Sequence, residues 1–298
     1  DYMQILFLGT SSMVPTKERN QSAVLVSYGS EGILVDCGEG TQRQLKIAGV
    51  KLTKITKILI SHLHGDHVLG LPGMIQSMSS ADYNDILNIY GPVGTKKFVE
   101  NLFKTFLFDR KIEIQVRDIK SGRFSESDDL ILEAQSLEHN VDTLGYSIIE
   151  KDKRKINLKF TKKLGIPDGP LLGKLQDGKN IVWKGKKINV DDATDIVKGK
   201  KATIISDTVP CKGADMLAKD SDLLISEATY ASDLEDKSIE YGHMTSKQAA
   251  ELANRTGSKK LVLTHFSARY KNTLKLEEDA RDYFDDVLCA EDFMKINL

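Results

Sequence analysis

The chain has 298 residues, 40% of them apolar and 29% charged, with a formal net charge of −1. That length and apolar content suffice for a substantial core, and the near-neutral balance argues against a uniformly basic nucleic-acid coat. The three cysteines are scattered without a C-x-x-C pair, and neither a signal-peptide pattern nor a twenty-residue apolar span is present, which predicts a reduced, cytoplasmic setting with no membrane partner.

In chain order, Met3 to Leu8 predicts a first strand ending at Gly9-Thr10, and Ala23 to Val26 and Ile33 to Val35 predict the next two. Between them lies the polar loop Pro15-Thr16-Lys17-Glu18-Arg19-Asn20. Thr41 to Ala48 reads as a short helix, Lys57 to Ile60 as a buried strand, and Val68 to Ser79 as a helix interrupted early by Pro72-Gly73. A strand at Ile86 to Tyr90 precedes an amphipathic helix from Thr95 to Phe106, with Phe98, Leu102 and Phe106 at helical spacing. Strands follow at Glu113 to Val116, Leu130 to Ser136 and Gly145 to Glu150. After a basic, breaker-rich stretch, α/β alternation resumes: a strand at Ala202 to Ser206, a helix around Ala214 to Ala218, a strand at Leu223 to Ser226, a helix at Ser246 to Thr256, a strand at Lys260 to Leu263 and a helix at Leu276 to Tyr283. The fold class is therefore α/β, two sets of strands and helices flanking an insertion.

The densest chemistry directly follows the apolar strand Lys57-Ile58-Leu59-Ile60, in Ser61-His62-Leu63-His64-Gly65-Asp66-His67. Histidines two apart can point to the same side of an extended segment, and Gly65 permits the turn that carries Asp66 and His67 to a second position. With only six histidines in the chain, this clustering predicts metal ligands rather than a polar loop, and one loop can feed two ions. Three later donors occupy the same position, the carboxyl end of an apolar strand. His139 lies just past Ser136, Asp207 follows Ile204-Ile205-Ser206, and His265 follows Leu261-Val262-Leu263-Thr264. Open α/β sheets gather ligands at that end. Nitrogen and oxygen donors without thiolate suit zinc, and manganese or iron also fit.

The H-x-H-x-D-H stretch resembles the signature of the metallo-β-lactamase superfamily. That resemblance implies an αββα sandwich with a dinuclear zinc site, and by itself leaves hydrolase, oxidoreductase and nuclease open. It narrows to the ribonuclease Z family of tRNA 3′-end-processing endonucleases on residues that span nearly the whole chain. These are Phe7-Leu8-Gly9-Thr10, Pro15-x-Lys17-x-Arg19-Asn20, Asp36-Cys37-Gly38-Glu39-Gly40-Thr41-Gln42, Asp207-Thr208, Glu227-Ala228-Thr229, His243-x-Thr245, Leu263 to Tyr270, and Ala290-x-Asp292-Phe293. The P-x-K-x-R-N loop and the H-x-S-x-R-Y stretch discriminate better than the histidine cluster, because lactamases and glyoxalases are not expected to carry them. Three positions depart from the family pattern: Ser206 where glycine is common, Ser226 in place of histidine, and Met244 in place of serine. The ligand positions are intact, so these read as packing variation, with the loss of a histidine behind the ligands at Ser226 the point to watch.

The resemblance implies two Zn²⁺ per subunit, one on His62, His64 and His139 and the other on Asp66, His67 and His265, with Asp207 bridging. It implies a precursor tRNA substrate cut near the discriminator nucleotide by a metal-bound hydroxide, which leaves a tRNA 3′-hydroxyl and a trailer 5′-phosphate. Asp66 would orient the hydroxide. His243, the one histidine left over, would protonate the departing 3′-oxygen, with Glu227 orienting and charging it. Lys17, Arg19, Asn20 and Arg269 would lie near the scissile bond, and a homodimer is implied.

The basic stretch from Lys151 to Lys187 holds twelve Lys or Arg against three Asp and contains Gly165-x-Pro167-x-Gly169-Pro170. The family resemblance implies an arm with such a turn that grips the tRNA body, so residues 1–298 are expected to form one metallo-β-lactamase-fold domain with a flexible basic arm inserted at 151–190, whose Lys162, Lys163, Gly169, Pro170 and Lys174 contact tRNA. Phosphate contacts give affinity without reading sequence. Two rival readings are a hydrolase of small esters, for which the basic stretch has no task, and an idle RNA-binding protein, which has no need of intact ligands. Metal analysis and one nuclease assay separate them.

Overall fold

The computed structural model describes residues 2–107, 109 and 111–298, which fall into two compact units. The first comprises 1–125, 132–148 and 201–298, and is built on two seven-stranded sheets. Strands β1 (Gln4–Gly9), β2 (Ala23–Tyr28), β3 (Glu31–Val35), β4 (Lys57–Leu59), β5 (Ile86–Gly91) and β6 (Glu113–Asp118) are consecutive neighbours in one sheet. The first three run antiparallel and β3 to β6 parallel. The second sheet takes β7 (Gly122–Glu126), β8 (Leu130–Leu137) and β9 (Thr143–Glu150) from the middle of the chain.

The second unit, residues 126–131 and 149–200, has its own architecture. Strand β10 (Lys153–Ile156) pairs with a later strand of the same unit, and β11 (Ile181–Trp183) and β12 (Lys186–Ile188) form a hairpin. The hairpin turns on Lys184 and Gly185, both at positive φ, the geometry that matches the twist of its strands. Strand β13 (Thr194–Val197) is the antiparallel partner of β10. Ile166, Leu175, Ile181, Ile188, Val190 and Ala193 make a small core, and the Trp183 indole donates to Leu164 O at 3.0 Å. Two short helices, Leu158–Lys163 and Pro170–Gln176, flank Gly165 to Gly169, so the breaker-rich segment is a turn between them.

Back in the first unit, β14 (Lys201–Ile205), β15 (Leu223–Glu227), β16 (Leu261–Thr264) and β17 (Val287–Cys289) extend the second sheet in parallel, in the order β17-β16-β15-β14-β9-β8-β7. Strand β18 (Lys295–Asn297) returns to the first sheet as the antiparallel outer neighbour of β1. The continuous apolar runs have a physical reason, since both faces of these strands are buried. Leu6, Leu8, Leu25, Leu34 and Ile58 pack with Leu45, Leu71, Met74 and Ile75 from the helices Thr41–Ile47 and Leu71–Ser79. Their alternating neighbours Ile5, Phe7, Val24, Val26, Ile33 and Val35 lie on the other face and are equally buried. The second sheet repeats the pattern, with Ile205, Leu224, Leu261 and Leu263 against Leu217, Ala249, Leu252 and Leu276. The Tyr146 hydroxyl on β9 donates to Ile60 O at 2.6 Å and Leu144 N to Ser61 O at 2.9 Å, which ties the two sheets together at the histidine loop. The result is the expected αββα sandwich.

One predicted helix is divided differently. Instead of Val68 to Ser79 breaking at Pro72-Gly73, helices Gly65–Val68 and Leu71–Ser79 meet at Leu69-Gly70, and Pro72 sits in the first turn of the second, where its missing N–H costs nothing. Among the described residues no helix is long and apolar enough to cross a membrane.

Candidate metal centre and active site

All seven predicted donors, with Glu227 and His243, belong to the first unit, and its strand ends bring them together. The turn after β4 carries His62 and His64, and the helix Gly65–Val68 turns Asp66 and His67 back toward them. His139 follows β8, Asp207 follows β14, Glu227 ends β15, and His265 follows β16 at φ 62.

Two clusters result. Nδ1 of His64 lies 3.1 Å from Nε2 of His62 and 3.3 Å from Nε2 of His139. In the second cluster His67 Nε2 is 3.3 Å from Asp66 Oδ2 and 3.4 Å from Asp207 Oδ2, while His265 Nε2 is 3.4 Å from Asp66 Oδ2 and 3.3 Å from Asp207 Oδ1. Asp207 Oδ2 is also 3.6 Å from His62 Nε2 and 4.0 Å from His139 Nε2, so this carboxylate stands between the clusters. A tetrahedral ion with bonds of about 2.0–2.1 Å separates its ligands by roughly 3.3 Å, and both clusters have that spacing. The buried atoms His67 Nε2 and Asp207 Oδ1 find no hydrogen-bond partner among the described residues. Buried polar atoms left unpaired are costly, and a cation is what would satisfy this pair. The donors are placed to hold metal.

The far nitrogen of each ring fixes the near one. His67 Nδ1 donates to Asp36 Oδ2 at 2.6 Å, and Asp36 also accepts from Ser61 N and Ser61 Oγ, each at 2.7 Å. His139 Nδ1 donates to Gly242 O at 2.8 Å, and His62 Nδ1 to Ser61 Oγ at 3.0 Å. His265 Nδ1 donates to Thr229 Oγ1 at 3.0 Å, and Thr229 in turn donates to Glu227 Oε2 at 2.7 Å. Each of these four rings therefore turns a lone pair on Nε2 inward. Glu227, buried, also accepts from Thr208 N at 3.0 Å and from His243 Nδ1 at 3.0 Å.

Electrostatics follow from burial and neighbours. Burial, then the neighbouring His67, drives the His62 pKa well below its ordinary value. Burial opposes the charges on Asp66 and Asp207, yet the surrounding histidines, His265 and His67 foremost, hold both carboxyls well below the usual range. Burial likewise opposes a charged His243, but the Glu227 carboxylate and then Asp207 outweigh it and raise the pKa to about 9. The centre opens into a cavity of about 780 Å³, whose walls include His64, Asp66, His139, Asp207, His243 and His265.

The predicted substrate residues fare differently from one another. Lys17 is exposed, and Arg269 is exposed with its guanidinium 5.5 Å from the Tyr230 ring centroid. Arg19 turns inward: Nη1 donates to Thr10 Oγ1 at 2.8 Å and Ala290 O at 2.7 Å, and the guanidinium lies 4.8 Å over Phe266. Asn20 is likewise engaged, its side chain donating to Glu39 O and its backbone N–H to Asp292 Oδ2, both at 2.7 Å. Lys162, Lys163, Gly169, Pro170 and Lys174 are exposed in the second unit. Met244 is fully buried in the second sheet's core, and Ser226 Oγ donates to Glu227 O at 3.1 Å. Sequence reasoning assigned no role to Asp36, Thr229 or Gly242. Asp36 and Thr229 do stand inside motifs quoted above, which was the available signal.

Residues 3–118 match the family model of the anti-Pycsar protein Apyc1, less than half of the chain. A ribonuclease Z of Archaeoglobus fulgidus is 42% identical over 300 residues, covering 99% of this chain and 97% of that protein. The crystal structure of human tRNase Z, short form, is similar with a TM-score of 0.72 at 29% identity and 98% coverage of each chain. The metallo-β-lactamase fold protein YhfI from Bacillus subtilis shares the fold, with a TM-score of 0.73 at 18% identity and 100% coverage of each. Identity of this extent, over nearly the full length of both sequences, places the chain in the ribonuclease Z family.

Proposed function

We propose that the chain is a zinc-dependent endoribonuclease that removes 3′ trailers from tRNA precursors, cutting beside the discriminator nucleotide to leave a tRNA 3′-hydroxyl and a trailer 5′-phosphate. One observation carries this reading: two ligand clusters joined by Asp207 share a cavity with a histidine that is held by a buried carboxylate. His62, His64 and His139 would hold one zinc ion and Asp66, His67 and His265 a second, with Asp207 between them. Such a pair of cations supplies, when bound, a water that is nucleophilic at neutral pH and positive charge for the phosphate oxygens. Asp66 accepts a hydrogen bond from the attacking water and aims it at phosphorus. As the bond from phosphorus to the 3′-oxygen breaks, His243 gives that oxygen the proton on Nε2 while Nδ1 stays on Glu227. The direct displacement needs no covalent intermediate on the protein.

Lys17 and Arg269 contact the RNA near the cut, and Arg19 and Asn20 shape the loop that carries Lys17. The basic second unit grips the tRNA body through Lys162, Lys163 and Lys174, with the turn ending at Gly169-Pro170 leaving backbone open to a phosphate. The three cysteines, all unpaired, suit a reducing cytoplasm. The proposal includes the homodimer that the family implies, which light scattering tests directly. The central test is incubation of the protein, shown by elemental analysis to carry two zinc ions per chain, with a 3′-extended pre-tRNA and mapping of the new ends. One cut with a 3′-hydroxyl is expected, abolished by a chelator. Fully loaded protein that leaves the precursor intact would sink the reading.

A further inference from the structure

Beside His243 the cavity wall changes character. The Tyr230 ring lies 6.3 Å from the His243 ring, edge to face, and the Arg269 guanidinium stands 5.5 Å from the centroid of Tyr230. Tyr241, 48% exposed, has the Lys237 ammonium 5.7 Å from its centroid. Tyr230, Tyr241 and Lys237 all line the same cavity as the ligands, and among the described residues neither cation is paired with a carboxylate. The rim of that cavity also carries Met13, Val14 and Leu69, which are 70%, 51% and 56% exposed. A site that took only a hydrated phosphodiester would have no use for these faces. Two aromatic rings, each beside a cation, and an apolar rim suit flat nucleobases attached to an anionic backbone.

We infer that Tyr230 and Tyr241, with Arg269 and Lys237, form a stacking seat for unpaired nucleobases at the scissile bond, Tyr230 taking the base of the nucleotide whose 3′-oxygen departs. The inference rests on the endoribonuclease reading, because the assignment follows from the proton donor. His243 must stand at the leaving 3′-oxygen, so the ring next to His243 meets the nucleotide that owns that oxygen. Tyr241 takes a neighbouring base. A base held in a duplex presents only its edges and cannot enter the seat, so cleavage is confined to a nucleotide free of its stem. Substrate choice is then made partly by the availability of a base face, independently of base identity.

The test pairs a protein change with a substrate change. Removing a stacked aromatic costs about 5- to 150-fold in affinity. Tyr230→Leu is therefore expected to lower kcat/KM on a 3′-extended pre-tRNA by that factor, chiefly through KM, while Tyr230→Phe stays close to wild type. A pre-tRNA made abasic at the nucleotide before the cut is expected to be a poorer substrate for the wild-type enzyme by a similar factor, and Tyr230→Leu is expected to lose nothing further on it. Wild-type enzyme that cuts the abasic precursor as well as the normal one overturns the seat, whatever the variants do. So does a leucine variant whose loss multiplies with that of the abasic site. Failure of the wild-type enzyme on the unmodified precursor refutes the endoribonuclease reading instead, so the two failures are distinguishable.

Discussion

The two compact units use charge in opposite ways. At the metal centre of the first, the titratable groups are almost without solvent: His62 is 0%, His67 1%, Asp207 3% and Glu227 1% exposed, and each is tied to at least one other polar group. In the second, Lys162, Lys163 and Lys174 stand exposed on short helices over a core of six small and medium apolar residues. Buried charges interact strongly and fail together, whereas solvated ones act nearly independently and are weakened by salt. The proposed chemistry is thus separated from the proposed grip on tRNA.

The largest break in that contrast comes from Asp207→Ala. Because Asp207 reaches both clusters, the variant is expected to lose metal from both and to fall below detectable cleavage, whereas His139→Ala first weakens one site. Elemental analysis of both proteins checks this, and an Asp207 variant that keeps two ions disproves the bridge. Next comes His243→Ala, expected to keep its metals and its tRNA affinity while losing roughly 10²–10⁴-fold in rate, the usual span for general acid catalysis. A nitrophenyl phosphodiester, whose leaving group needs no proton, tests the role: equal loss on both substrates would mean that His243 does not donate.

A smaller effect is expected one layer out. Asp36→Asn keeps shape but removes the charge that orients His67, which should weaken metal binding by about 10- to 100-fold; competition with a chromophoric chelator measures it. The smallest effect belongs to the second unit. Neutralising Lys162, Lys163 and Lys174 together is expected to leave kcat and metal content unchanged and to make the salt dependence of binding shallower, by about 0.7–0.9 in log–log slope for each phosphate that is no longer neutralised. Additive losses among the three lysines, beside non-additive losses within the buried cluster, would sharpen the comparison, and an unchanged slope would remove the second unit from tRNA binding.

The seven candidate donors were legible because they gather after the ends of apolar strands, Asp66 and His67 one turn further on, a pattern local enough to read by eye. Their backing was not. The hydrogen bond from His67 to Asp36 joins positions 31 residues apart, and that from His139 to Gly242 joins positions 103 apart. Arg19 illustrates the limit most clearly, since an arginine in a polar loop reads as a hand held out to substrate. Its partner Ala290 O lies 271 residues away, and only the fold shows that the side chain is a tie. The second unit's core was illegible for another reason: strands of three residues and helices of six or seven leave too few apolar positions for a period to show. Strands β7 and β18 were missed because their sequences are short and polar at alternate or flanking positions.

The return of β18 to β1 brings the residues before it against the start of the chain and fastens one wall of the cavity. Every metal donor, from His62 to His265, precedes Ala290 and Asp292 in the order of translation. Yet those two late residues hold Thr10, Arg19 and Asn20, and the adjoining Phe293 and Met294 hydrogen-bond to Phe7. The loop that forms one wall of the cavity is therefore held through pairings of very long sequence separation, which form slowly. A change at Asp292 is therefore felt in the loop at the edge of the cavity, although Thr10 lies 282 residues away along the chain.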